Sequence, residues 1–435
     1  MDTESGSSVN SAAAPNVLFV SGSVGLGHVT RDISIARALR ARVPGVSISW
    51  LAADAARDAL VEAAEPLLPE AAFYTSGAAV VEAAAQEFVL NLASPRALLR
   101  GRTYLARLRE FVKGVYTNVA VFGQVVRGRR FDLVVGDETF ELALAMSRNA
   151  RSRSPRPKTA PFALITDFVG VDPTTRNPLE LVFVRVLNRG WVRLLQEVPR
   201  ICDNVLFVGE LEDVPDAPFG YRMPNRRALA HEVVDFVGYI LPFEPADFLD
   251  RDRARRRLGY GNEPTVICAV GGTSVGAPLL RLCGEAYPLL RARVPDVRLV
   301  LVCGPRIHPA TVHAPAGAEV WGYVPNLYEH LAACDLAVVL AGGTATLELT
   351  ALRRPFIYFP LEQHFEQQFH VARRLRRHGA GVRLDYSATS PQVLATTILD
   401  NLGSRPHYPP IATDGAMRAA NILARHLHPE GVERE

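Results

Sequence analysis

Lysine is nearly absent from this 435-residue chain: of 48 basic residues only Lys113 and Lys158 are lysine. No lysine closes a GxxxxGK[ST] loop, which excludes a P-loop, and Schiff-base chemistry is confined to those two positions. Cysteine is scarce as well. Cys202, Cys268, Cys283, Cys303 and Cys334 sit mostly in apolar runs with no CxxC and no Cys/His pair at zinc spacing, the pattern of buried thiols in a reducing compartment. No uncharged apolar run reaches the ~18 residues of a membrane span. The opening MDTESGSSVNSAAAP has no basic n-region and no apolar h-region, so residues 1–15 are expected to be a flexible tail, not a signal peptide. A net charge of +3 argues against a general nucleic-acid binder. Together these features point to a cytoplasmic protein, and the preference for arginine and alanine points to a GC-rich bacterial genome.

What is present is a rhythm of short apolar runs and helix-length segments, the signature of doubly wound parallel sheets in an α/β protein. NVLFVS, VSISWLA, FDLVVG, FALIT and NVLFVG read as strands of a first unit, and TVICAVG, VRLVLVCG, AEVWGYV, DLAVVLAG and PFIYFP as strands of a second. The proline-containing VGYILPFEPADF separates them, which sets the units at 16–241 and 242–411 and leaves 412–435 as a closing helix that would pack back on the first unit. One section breaks the rhythm. Ser94 to Arg130 carries nine Arg/Lys against one Glu, with Leu98, Leu99, Tyr104, Leu105, Leu108, Phe111 and Val112 near helical spacing. Such a helix either turns its apolar stripe to the core or lies on an anionic membrane, where each basic group adds about 1 kcal/mol. RSRSPRPK, at 151–158, reads as a basic loop.

Two glycine-rich turns in the second unit follow a strand and precede a helix: AVGGTSVGAPLL and VLAGGTATLELTAL. Each aims backbone N–H groups and a helix N-terminus from the carboxyl end of a strand, where a diphosphate is favoured. Gly272, Gly342 and Gly343 allow close approach, and Thr273, Ser274 and Thr344 offer hydroxyls. Glu348, one helical turn after Thr344, suits both hydroxyls of a ribose; a solvated first-turn glutamate is the plainer alternative. Tyr323 and Val324, in a turn fixed by Pro325, could pair with a base edge. Glu366, Gln367 and Gln368 follow the strand PFIYF, and amides suit sugar hydroxyls, though polar residues in a first helical turn are common.

The order GGTSVGA, WGYVPNLYEHLAACDLAV, GGTATLE and EQQ resembles the nucleotide-sugar-binding domain of GT-B glycosyltransferases, in particular family 28 and behind it the wider UDP-glycosyltransferases. The resemblance implies two Rossmann-like domains facing a central cleft, with 16–241 binding the acceptor and 242–411 the donor. It places Gly272 to Ser274 and Gly342 to Thr344 on the diphosphate, Tyr323-Val324 on the base, Glu348 on the ribose, and the Glu366-Gln367-Gln368 segment at the donor sugar. UDP is the implied carrier, used as co-substrate with no cofactor and no metal. Leu340 stands where many relatives have a histidine or arginine, so phosphate charge must be met by backbone dipoles or by a residue the motifs do not place.

With a nucleotide site assigned to the second unit, SGSVGLGH in the first is free for another task. Gly25 and Gly27 leave room on the acceptor side, and His28 at a helix start suits a base that takes the acceptor hydroxyl proton during inverting transfer. The helix N-terminus should lower its pKa. Asp137, past the strand FDLVV, is the first choice for an orienting carboxylate, with an N-cap role as alternative. Asp167 is second and could instead contact the acceptor. The acceptor is expected to be a lipid or a small molecule, with peripheral contact at the inner face of a membrane through residues 94–130 if it is a lipid. A nucleotide-sugar 2-epimerase or a non-catalytic nucleotide-sugar-binding subunit would share the architecture, and only an epimerase turns over without an acceptor.

Overall fold

The computed structural model describes residues 14–22, 26–75, 101–143, 145, 160–272, 274–362 and 364–427. The flexible-tail assignment falls almost wholly outside these, as do residues 94–100 of the basic segment, the loop 151–158, Gly25 and Thr273. Two six-stranded parallel sheets form the framework. The first runs β2-β1-β3-β4-β5-β6, from β1 (Asn16–Val20), β2 (Ser47–Leu51), β3 (Leu133–Asp137), β4 (Phe162–Thr166), β5 (Asn204–Val208) and β6 (Asp235–Gly238). The second runs β12-β11-β10-β7-β8-β9, from β7 (Thr265–Ala269), β8 (Arg298–Val302), β9 (Glu319–Trp321), β10 (Leu336–Leu340), β11 (Phe356–Phe359) and β12 (Val382–Arg383).

Central strands such as FALIT, TVICA and LAVVL are buried along their whole length. Helices cover both faces of each sheet, so these strands are continuously apolar and do not alternate. All ten strands read from the sequence are present. The edge strands β6 and β12 were missed, the first because DFVG was read partly into the connection and the second because two residues carry no period.

The helices that bear on the site are α1 (Leu26–Arg42), α2 (Gly101–Gly128), α3 (Pro178–Ile201), α4 (Ala277–Arg291), α5 (Leu327–Ala333), α6 (Gly343–Ala351), α7 (Ala372–Arg377) and α8 (Gly415–Ala424). α2 buries Val121 and Val125 against the first sheet, while Val112, Lys113 and Tyr116 on its earlier turns are exposed. α8 returns to the first unit: Ala419, Ala420 and Leu423 share a core with Leu39 of α1, and Gly415 N–H donates to Tyr239 O at 3.0 Å. No helix among the described residues is long and apolar enough to cross a membrane.

Candidate active site between the two sheets

The carboxyl ends of the two sheets face each other, and the glycine-rich turns meet there. A Cβ on Gly27, in the first turn of α1, would collide with Thr344 Oγ1 in the first turn of α6. A Cβ on Gly272 would stand 3.5 Å from Leu26. At Gly27 glycine is favoured by that close approach while Thr344 Oγ1 stands there, not by backbone freedom. Ser274 opens a short 3-10 turn, Ser274–Gly276, ahead of α4.

His28 is the third residue of α1. Its Nδ1 lies 3.2 Å from Asp137 Oδ2, at the end of β3. Asp137 is buried, and it engages two residues of α1 where an N-cap would bind the next helix. Arg31, one turn beyond His28, reaches the same place: Nε donates to Asp137 Oδ2 at 2.9 Å and Nη2 to Oδ1 at 2.5 Å, while Nη1 donates to Asp167 Oδ2 at 2.7 Å. Arg31 Nη2 is also 2.8 Å from His28 Nδ1. That nitrogen has two neighbours of opposite demand, since Asp137 calls for an N–H there and the guanidinium, a donor only, offers one. The other ring nitrogen, Nε2, is 3.8 Å from Glu138 Oε2. Glu138 has a left-handed backbone (φ +50°) and its buried Oε1 has no hydrogen-bond partner.

Electrostatics divides this cluster. Burial works to raise the Asp137 carboxyl, but Arg31 and His28 outweigh it and the pKa falls well below the usual range. Asp167 is lowered by the same two neighbours against the same burial. Glu138 goes the other way, pushed well up by burial and the charge of Asp167. Beneath them Asp32 accepts from Ser21 Oγ at 2.5 Å, and burial followed by the Asp137 charge raises it strongly. For His28, burial and Arg31 pull down but Asp137 prevails, so its pKa ends above 6.5. The lowering expected from the helix N-terminus is reversed, because an ion-paired carboxylate in contact outweighs a partial dipole charge. His28, Asp137 and Glu138 bring ligand-type atoms within 4.8 Å of one another, but Arg31 already supplies the cation that Asp137 faces.

On the opposite wall Glu348 is buried in α6, and burial pushes its carboxyl up to about 8. Tyr323 is 45% exposed and Val324 packs on the second core, in the turn before α5. Glu366 borders the cleft with Gly343, Asp167, His370 and Arg374. Gln367 and Gln368 turn to the backbone of Leu361: Gln367 Oε1 accepts from its N–H at 2.9 Å, and Gln368 Nε2 donates to its carbonyl at 3.0 Å. Phe168 and Phe365 meet across the cleft edge to face, 5.3 Å between centroids. Arg31 is the residue sequence reasoning missed. Its signal was the three-residue spacing after His28, which puts both on one helix face.

Residues 266–424 match the Glycosyltransferase family 28 C-terminal domain. An uncharacterized glycosyltransferase of Methanopyrus kandleri is 30% identical over 254 residues, 58% of this chain and 67% of that protein. The UDP-N-acetylglucosamine–N-acetylmuramyl-(pentapeptide) pyrophosphoryl-undecaprenol N-acetylglucosamine transferase of Carboxydothermus hydrogenoformans is 30% identical over 160 residues, 36% of this chain and 43% of the relative. Among solved structures, the glycotransferase of kitacinnamycin superposes with a TM-score of 0.56 at 17% identity, covering 96% of each chain, a likeness of fold. With two facing parallel sheets and a family-28 second half, the chain belongs to the family-28-like glycosyltransferases of GT-B fold.

Proposed function

We propose that this glycosyltransferase moves a sugar from a UDP-sugar to a hydroxyl of a lipid or small-molecule acceptor with inversion at the anomeric carbon, His28 serving as base. The observation that carries the reading is the His28–Asp137 pair, 3.2 Å apart, set on the turn whose Gly27 abuts Thr344 at the start of α6. A base and a helix N-terminus suited to a diphosphate thereby face one another across the cleft.

The acceptor hydroxyl gives its proton to His28 Nε2 as its oxygen attacks the anomeric carbon, and the bond from that carbon to UDP breaks with the electron pair leaving on the diphosphate. Asp137 then receives the Nδ1–H of the imidazolium, and Arg31 keeps Asp137 and Asp167 ionised for that task. Backbone N–H groups at Gly343 and Thr344 meet the leaving charge, Glu348 takes the ribose hydroxyls, and the turn at Tyr323-Val324 takes the base. The reading calls for no cofactor and no metal. Phe168 and Phe365 form an apolar wall beside Asp167, which suits the greasy body of such an acceptor. The name of the Carboxydothermus relative, with its UDP-sugar and undecaprenol substrates, supports donor class and the lipid option alike. A lipid acceptor would put the enzyme at the inner face of a membrane, with the exposed turns of α2 toward it.

The test is transfer from UDP-sugars to a panel of hydroxyl acceptors, with the anomeric configuration of the product read by NMR. His28→Gln should lower kcat about 10²–10⁴-fold and leave UDP binding intact. Turnover of the donor to an isomeric nucleotide sugar with no acceptor present would overturn the proposal in favour of an epimerase.

A further inference from the structure

The turn that should hold the donor diphosphate, Gly342 to Thr346, contains no charged residue, so backbone dipoles alone would face a diphosphate whose negative charge grows as it leaves. A cation reaches that turn from another element. Arg374, on α7, donates from Nη2 to Gly343 O at 2.6 Å and to Thr346 Oγ1 at 3.1 Å. It lies four and eight residues after His370 and Glu366, and all three border the cleft with Gly343.

Two observations mark Arg374 as awaiting an anion. Its buried Nε has no hydrogen-bond partner, and Nε2 of His370, a residue only 8% exposed in the same cleft, has none either, the Asp172 carboxylate standing 4.0 Å from it. The aspartates nearby are already matched to other arginines: Asp167 to Arg31, Asp213 to Arg377 and Asp172 to Arg226. Among the described residues no carboxylate pairs with Arg374. The ring of Tyr239 lies 5.8 Å from the guanidinium carbon, and the Arg374 charge adds to the burial and the Arg377 charge that lower the pKa of His378. A half-buried cation with an unused donor is costly unless something negative arrives, and what is expected at the N-terminus of α6 is phosphate.

We infer that Arg374 supplies the positive charge that binds the donor diphosphate and stabilises it as leaving group, in place of a charged residue in the β10–α6 turn. The inference rests on the nucleotide-sugar reading above. On arrival of the diphosphate the Nε–H gains its acceptor and the guanidinium its counter-ion, with the Gly343 and Thr346 bonds holding the fork in position.

The experiment compares UDP, UMP and uridine by calorimetry on wild type, Arg374→Gln and Arg374→Lys. Wild type should prefer UDP over uridine strongly. Arg374→Gln should reduce UDP affinity roughly ten- to a hundredfold, the range for a hydrogen bond to a charged group, while uridine affinity stays put. Arg374→Lys should retain most of the preference. A purely structural brace at Gly343 would instead lower uridine and UDP binding together in both variants, and that result overturns the inference. So does a wild-type preference for UDP that survives Arg374→Gln, which leaves the donor reading standing. Absence of any uridine-nucleotide binding by wild type removes the donor reading itself, and this inference with it.

Discussion

The β1–α1 and β10–α6 turns are the same device built twice: an apolar parallel strand, a glycine-rich turn and a helix whose N-terminus faces the cleft. Their charge differs completely. Around the first, Arg31, Asp137 and Glu138 stand within hydrogen-bond or ion-pair distance of His28, and Arg31 ties in Asp167. Around the second, Glu348 stands buried with burial as the sole cause of its raised pKa, and the turn residues are neutral. A helix N-terminus past the end of a strand can receive an anion in either place. On the function proposed above, side-chain charge suits the first to moving a proton and the second to holding a ligand's hydroxyls and phosphates.

The largest way to sharpen that contrast is to remove the charge that sets His28. Asp137→Asn should cut kcat about 10²–10⁴-fold, with UDP affinity little changed. The pH profile carries the sign. Asp137 holds the His28 pKa above 6.5 against burial and Arg31, so the acid limb of wild-type kcat/KM should fall above pH 6.5. In the variant it should move to lower pH beneath a reduced ceiling. An unmoved limb would mean that the titrating group is not His28.

The same contrast explains what could be read from the chain without coordinates. Strands buried on both faces announce themselves as apolar runs, and turns such as GGTATLE announce a helix N-terminus, so the GT-B architecture was legible. Pairing was legible only where chemistry demanded a partner, as for His28. Arg31 was not, because the spacing from His28 gives its helix face but not which of the carboxylates at two strand ends, 106 and 136 residues away, it will reach. Arg374 was hidden for a related reason: its partners at Gly343 and Thr346 lie 31 and 28 residues earlier, on a different helix. The direction of the His28 shift was misjudged because the helix dipole is local and readable, whereas a buried ion-pair cluster is tertiary.

On the donor side the expected effect is smaller and of mixed sign. Glu348 has its folded pKa raised to about 8 by burial, so the folded state disfavours its ionisation. Stability should therefore decline as pH rises from the ordinary carboxyl range near 4.5 toward 8, by on the order of a few kcal/mol at most. Glu348→Gln should abolish that decline in thermal melts while weakening UDP about ten- to a hundredfold. A ligand whose hydroxyls donate to the carboxylate favours its ionised form, so UDP binding to wild type near pH 7.5 should release protons, read as a buffer-dependent calorimetric enthalpy. No release, with UDP affinity indifferent to the substitution, would take Glu348 out of the ribose site.

The smallest effect probes whether the two turns truly abut. On its own helix Gly27→Ala should help, since alanine outranks glycine there by about 1 kcal/mol. Across the cleft the new methyl meets Thr344 Oγ1, an atom that a rotamer change can move, so the net result in the single variant should be a loss of under about 1 kcal/mol or none. Thr344→Ala removes the obstructing oxygen and should convert Gly27→Ala into a gain. The coupling read from a double-mutant cycle on melting temperature should then be positive, in the range of about 0.5–1.5 kcal/mol for neighbouring residues. Additive effects would show that the first turns of α1 and α6 stand apart in solution.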